Sequence, residues 1–215
     1  MNDNNIINEE LRNKALNYIE TGYQKLLTYE VKGEKGGYSL YGSSPAETVL
    51  TSYGLMQLND LSEVYKVDQN VIDNMKDFLY KKQNVDGSFT ITGLHFSSVG
   101  SKNDVALNAY IVWALSEADP KDGRLEKSIN YLSDKIEETT DNYTLALIAN
   151  ALANVDNKDA SKATKKILDG LNSDGDVISV SSNVRDYYGS YGNVQTVQTT
   201  ALTSMALSKL GENQR

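Results

Sequence analysis

Residues 104–115 read Asp104-Val105-Ala106-Leu107-Asn108-Ala109-Tyr110-Ile111-Val112-Trp113-Ala114-Leu115. At 3.6 residues per turn the apolar side chains cover nearly the whole circumference, so a helix here has no face to offer water and must be enclosed by neighbours. Leu145 to Ala153 has the same character. Between and around these stretches the pattern changes. Val71, Met75, Phe78 and Leu79, then Leu125, Ile129, Leu132 and Ile136, then Ala160, Ala163, Ile167, Leu168 and Leu171 recur at helical spacing and mark one buried stripe each. An enclosed helix alternating with an amphipathic one predicts two layers, enclosed helices inside and amphipathic ones outside. The expected fold is therefore all-α, an α/α toroid or superhelix of helical hairpins.

The corners between helices repeat as well. Gly36-Gly37-Tyr38-Ser39, Asp86-Gly87-Ser88-Phe89 and Asp174-Gly175-Asp176-Val177 each sit between helical patterns. Apolar segments follow at Glu47 to Leu58, Asp104 to Leu115 and Val194 to Leu207, and a fourth, Asn142 to Leu152, follows Asp141 directly. Tyr38 and Phe89 are 51 positions apart, and Phe89 and Tyr143 are 54 apart. A period of roughly 50 residues suits a helical hairpin with its loops. Ser44-Pro45-Ala46-Glu47 has the form of a capping box with proline at the first helical position, Asp68 is placed to cap the next helix, and Asp119-Pro120 to start the one after. About eight helices are expected, the first from Glu9 to Val31, making four hairpins in one domain over residues 9–215 behind a disordered or tail segment at 1–8. A six-hairpin ring would need roughly 300 residues at this period, so the array is expected to be an incomplete arc or a compact ring.

Composition narrows the chemistry. A net charge of −8 and a pI near 4.7 give no electrostatic footprint for nucleic acid or an anionic membrane. No apolar run approaches the roughly 20 residues of a membrane-spanning helix. Nucleic-acid binding and membrane insertion are not expected. The start Met1-Asn-Asp-Asn-Asn has no signal-peptide pattern. With no cysteine and one histidine, His95, the chain has no disulfides, thiolate ligands or thiol nucleophiles, and no multi-histidine zinc site. No metal and no cofactor are expected.

Several segments together resemble a known family. Ala15-Leu-Asn-Tyr-Ile-Glu-Thr-Gly-Tyr-Gln24, Leu26-Leu-Thr-Tyr29, the Gly37-Tyr38-Ser39 corner and Thr48-Val-Leu-Thr-Ser-Tyr53 are similar to the first hairpins of the thioester domain of the alpha-2-macroglobulin and complement family. Phe78-Leu79, Gln83, Asp86-Gly87-Ser88-Phe89 and Asn103 to Tyr110 follow in the family's order, and Val197-Gln-Thr-Thr-Ala-Leu202 resembles a later inner helix. The likeness runs from Leu11 to Leu210. The resemblance implies the terpenoid cyclase/prenyltransferase-like toroid. Active members carry Cys-Gly-Glu-Gln, whose cysteine and glutamine join as a thioester that acylates a captured target. That motif is missing here. By the family's order it would precede Met1, or the protein would lack it, so the expectation is a truncated domain without its thioester.

His95, in Ile91-Thr-Gly-Leu-His-Phe-Ser-Ser98, is the one candidate catalytic residue. The resemblance implies a histidine in this loop that attacks the thioester to give an acyl-imidazole, a role His95 could fill only with a thioester supplied from elsewhere; the alternative is an ordinary loop histidine. Tyr187, Tyr188 and Tyr191 are the candidate binding platform, against a plainer role in packing the corner. Trp113 is read as core, Asn142-Tyr-Thr144 as a chance glycosylation sequon, and Asn172 to Asp176 as a turn. Glu47 and Asp104, each opening an inner helix, could form an acid pair for glycoside cleavage, but their position suits helix-terminal stabilisation better.

The functional expectation is a non-enzymatic thioester-domain fragment in a protein for protease trapping or covalent surface attachment. Its partners would be proteases or surface nucleophiles, reached through the parent protein, and other domains of the same chain. Its place would be extracellular, at the cell surface or in the periplasm. Part of the pattern, Phe78-Leu79, Gln83, Gly87 and Phe89, also resembles squalene and terpene cyclases, but no Asp-x-Asp-Asp acid motif accompanies it. Prenyltransferases would need a cysteine on zinc. A toroidal enzyme of the cyclase or glycosidase class is the alternative, and an interaction scaffold the third.

Overall fold

The computed structural model describes residues 9–93, 104–174, 177–185 and 189–211. The elements run α1 Glu9–Leu27, α2 Thr48–Ser62, α3 Gln69–Tyr80, α4 Asp104–Ala118, a 3-10 turn Gly123–Leu125 leading into α5 Glu126–Lys135, α6 Asn142–Asn154, α7 Asp159–Leu168, β1 Asn172–Asp174, β2 Val177–Ser179 and α8 Asn193–Lys209. Among the described residues there are eight α-helices, the even-numbered ones inside and the odd-numbered ones outside. This is the all-α, α/α toroid architecture anticipated from the periodicity.

The inner helices form a row. α4 packs between α2 and α6, and α6 between α4 and α8. The enclosed sequences occupy these middle places: α6 buries every residue from Tyr143 to Ala153, and α4 buries Ala106 to Ala109 and Ile111 to Ser116. Leu145, Leu147, Ile148 and Leu152 are at most 1% exposed, each contributing about 1.5–3 kcal/mol by leaving water. Of the outer helices, α3 rests on α2, α5 spans α4 and α6, and α7 spans α6 and α8. Leu125, Ile129, Leu132 and Ile136 are all buried on the anticipated stripe.

The ends of the row differ from its middle. On α8 the buried residues are Gln195, Thr199, Leu202, Thr203 and Ala206, while Val194 and Val197 are 64% and 70% exposed. An apolar segment stays half in water there because, among the described residues, it has an inner neighbour on one side only. α1 buries only Tyr23, whose hydroxyl accepts from the Asp68 amide and whose ring meets Tyr65. It stops at Leu27 and not at Val31, because Glu30 leaves the helix to form a bridge with Tyr38.

Other local expectations are corrected. Ser44 does not cap α2: its hydroxyl donates to Glu34 Oε1, which also accepts from the Ala46 amide, and the Ser44–Pro45 peptide is cis. The helix starts at Thr48 with Glu47 as its N-terminal flank. Asp119-Pro120 does not open α5. Asp122 does, accepting from the Arg124 amide. On α3 the fully buried stripe runs through Ile72, with Val71 only partly covered. Leu168 and Leu171 lie beyond the buried face of α7, at 37% and 38% exposure. The third corner is an antiparallel hairpin, β1 against β2, with Ser173 paired to Ile178. Asp68 caps α3 as anticipated, through the Asn70 amide, and Trp113 is core at 6% exposure.

Candidate functional site

The corners gather at one rim, and one device ties each to the inner helix that follows it. The Tyr38 amide donates to Thr51 Oγ1 at 2.9 Å on α2, the Phe89 amide to Asn108 Oδ1 on α4, and the Val180 amide to Thr200 Oγ1 at 3.0 Å on α8. A buried amide needs a partner, and in each case a polar side chain in the first turns of the helix supplies it. The corners are tied outward too. Glu30 Oε1 accepts from the Gly36 amide, and Gln83 Nε2 donates to Ser128 Oγ, which donates to the Gly87 carbonyl. Thr51, Asn108 and Thr200 went unnoticed in the sequence because Asn108 is a single amide in an apolar helix, while Thr51 and Thr200 each stand among other hydroxyl residues of their own helices. Their spacing of 13, 19 and 20 residues behind the corner residue was the available signal.

The same rim holds the N-termini of the inner helices. Thr92 crosses the start of α2, its amide donating to Thr48 Oγ1 at 3.2 Å and its hydroxyl to the Ala46 carbonyl at 2.7 Å, and Gly93 presses against Glu47. Asn142, opening α6, donates to the Ser181 carbonyl beyond β2. His95 lies outside the described residues, two positions beyond Gly93. Tyr187 and Tyr188 also lie outside them. Tyr191 is described and 72% exposed, with the Arg185 guanidinium 5.2 Å from its ring centre. It borders a shallow hollow of about 440 Å³ with Gly189, Ser190 and Val194. That exposure corrects the corner-packing reading for Tyr191.

Glu47 and Asp104 lie in different surroundings. Glu47 is 2% exposed and its Oε1 accepts from the Leu40 amide at 3.3 Å, without capping its own helix through the side chain, whereas Asp104 is exposed. No group of three or more metal-ligating side chains occurs among the described residues, and no described helix is long and apolar enough to cross a membrane.

The opposite rim joins the helix C-termini. Glu117 of α4, Asn154 of α6 and Lys209 of α8 meet there: Lys209 Nζ donates to Glu117 Oε1 and, at 2.7 Å, to Asn154 Oδ1. Trp113 Nε1 donates to the same Glu117 oxygen at 2.8 Å. Burial pushes the Glu117 carboxyl up, but the hydrogen bonds from Lys209 and Trp113 outweigh it, leaving the group below its ordinary 4.5. The sequence offered no sign of this cluster, whose members lie 37 and 55 positions apart.

Comparison with known proteins agrees with this architecture. The family model of the A-macroglobulin TED domain matches residues 1–210. The chain is 33% identical to ovostatin of Gallus gallus over 153 residues, covering 67% of this chain and 10% of ovostatin. It is 28% identical to complement C3 of Oncorhynchus mykiss, covering 93% and 12%, and 25% identical to an allele of thioester-containing protein 1 of Anopheles gambiae, covering 90% and 14%. The chain spans 10–14% of the length of these relatives. Helical hairpins in the family's order, corners bound to their inner helices and a match over nearly the whole sequence make one conclusion: the chain belongs to the thioester-domain family of the alpha-macroglobulins and complement proteins.

Proposed function

We propose that this chain is a non-enzymatic piece of a thioester domain, serving by position and contact within a longer extracellular or surface protein that traps proteases or attaches covalently to surfaces. The observation that carries the reading is a family match over residues 1–210 in a chain with no cysteine. Without a thiolate it cannot form the acyl bond by itself, so any covalent step needs a cysteine from elsewhere. His95 would then be the group that takes up the acyl chain, and Tyr191, with Tyr187 and Tyr188, a surface for the target. The engagement of Glu47 with the Leu40 amide supports the non-enzymatic reading over a glycosidase, since it leaves no evident acid pair.

The test uses the longer protein that holds this chain. Methylamine treatment followed by thiol titration is expected to release one thiol, and His95→Ala to slow transfer to hydroxyl targets while sparing transfer to amines. Absence of any thiol release sinks the covalent-attachment role. Turnover of glycans or isoprenoid diphosphates by the purified chain would overturn the non-enzymatic reading.

A further inference from the structure

We infer that Lys209 and Asn154 are the two partners of an intramolecular amide cross-link, formed with Glu117 as the proton carrier. The inference is independent of the thioester reading and rests on three helix ends brought to one point. Lys209 Nζ stands 2.7 Å from Asn154 Oδ1, one bond from the carboxamide carbon Cγ, and donates at the same time to Glu117 Oε1. Asn154 Nδ2, the group that must leave, donates to Ser116 Oγ at 3.0 Å, so the carboxamide is held by both ends. Ser116 is fully buried and its hydroxyl is fixed by the Trp113 carbonyl. Trp113 also fixes Glu117 through Nε1, and its ring lies 5.6 Å from the ammonium. The Lys209 and Glu117 side chains are 25% and 31% exposed. A salt bridge would need only the lysine and the carboxylate. Here a clamped carboxamide completes a nucleophile, a base and an electrophile held in contact distance, the arrangement from which proximity accelerates acyl transfer.

The step balances without an oxidant or co-reactant. Lys209 passes a proton to Glu117, and the neutral Nζ attacks Cγ as the carbonyl electron pair moves to Oδ1. Nδ2 takes the proton from Glu117, the Cγ–Nδ2 bond breaks as the carbonyl re-forms, and ammonia departs. Nζ gives its second proton to Glu117, which hands it to ammonia. The products are a secondary amide between residues 154 and 209 and one ammonium ion, which carries away the charge of Lys209. Glu117 ends as it began. The hydrogen bonds from Lys209 and Trp113 outweigh burial and hold the Glu117 carboxyl below its ordinary value, so the first transfer runs uphill and is drawn forward by attack of Nζ on Cγ and the departure of ammonia. The cross-link would bind α8, the end of the row with a single inner neighbour, to the fully enclosed α6, closing a loop of 55 residues.

The test is the denatured intact mass of the purified full chain after incubation at neutral pH. The expected result is a mass one ammonia below that of the sequence, and on proteolysis a branched peptide joining Asn154 to Lys209. Lys209→Met and Asn154→Ala are expected to carry their full masses, and Glu117→Ala to retain ammonia for at least tenfold longer, with circular dichroism confirming that each variant is helical. A wild-type chain at full mass overturns the proposal without reference to any variant. Loss of ammonia persisting in Lys209→Met overturns it too, and cross-linking of Glu117→Ala at the wild-type rate overturns the proton-carrier role.

Discussion

Gly87 lies against the carbonyl of Lys127, so close that a Cβ on Gly87 would stand 2.2 Å from that oxygen. Its φ of +88° adds a backbone conformation that other residues rarely adopt. Gly36 stands in the same relation to Asn74, at 2.0 Å with φ +79°. Gly87→Ala is therefore expected to destabilise the chain by about 2–4 kcal/mol, combining backbone strain with displacement of α5. Gly22→Ala, on a helix with open space around it, should be neutral or stabilising by up to about 1 kcal/mol. Urea unfolding monitored by circular dichroism separates the two.

Asn108 holds the corner through the Phe89 amide. Asn108→Ala leaves that buried N–H without its acceptor and should cost about 1–3 kcal/mol. Thr51→Val at the first corner removes the acceptor of the Tyr38 amide and should fall in the same range. Equal losses at the two sites in chemical unfolding would bear out the equivalence of the corners, and a loss at one alone would refute it.

The two kinds of inner-helix position respond differently to truncation. Leu147→Ala, at 1% exposure, is expected to cost about 2–5 kcal/mol. Val197→Ser, at 70% exposure on α8, should stay within about 0.5 kcal/mol. Thermal unfolding of both variants is the check; a large loss for Val197→Ser would mean that α8 is covered on that side.

Acid sensitivity has a defined direction at Asp122. The hydrogen bond from Arg124 holds its carboxyl below the ordinary aspartate value of 3.8. A carboxyl lowered in the folded state adds stability that is fully present above the unfolded value and lost as pH falls through the folded one. Asp122→Asn keeps an acceptor for the Arg124 amide but no longer titrates. Its unfolding free energy should therefore fall less than that of the wild type between neutral pH and the region below 3.8. An unchanged pH profile would remove Asp122 from the acid response.

Much of the fold was legible because it follows from periodicity. Residues 105–115 and 145–153 are apolar all round, which leaves a helix nowhere but inside, and Leu125, Ile129, Leu132 and Ile136 define one stripe that faces it. The helix count, the alternation of layers and the reused glycine corners follow from the same local rules. So does the lack of thiol chemistry, since composition alone decides it. Tertiary structure decided what depends on neighbours distant along the chain. Ser44 had the right type and spacing for a cap, but Glu34 lay within reach of its hydroxyl and bound it instead. Val194 and Val197 are as apolar as core residues, yet they are 64% and 70% exposed, because among the described residues α6 alone of the inner helices packs on α8. The meeting of Glu117, Asn154 and Lys209 could not be read locally at all, because it arises only when three parallel helices end at the same rim. Local sequence sets which face of a helix avoids water; only packing sets which helices end beside one another, and the chemistry of that rim depends on the second.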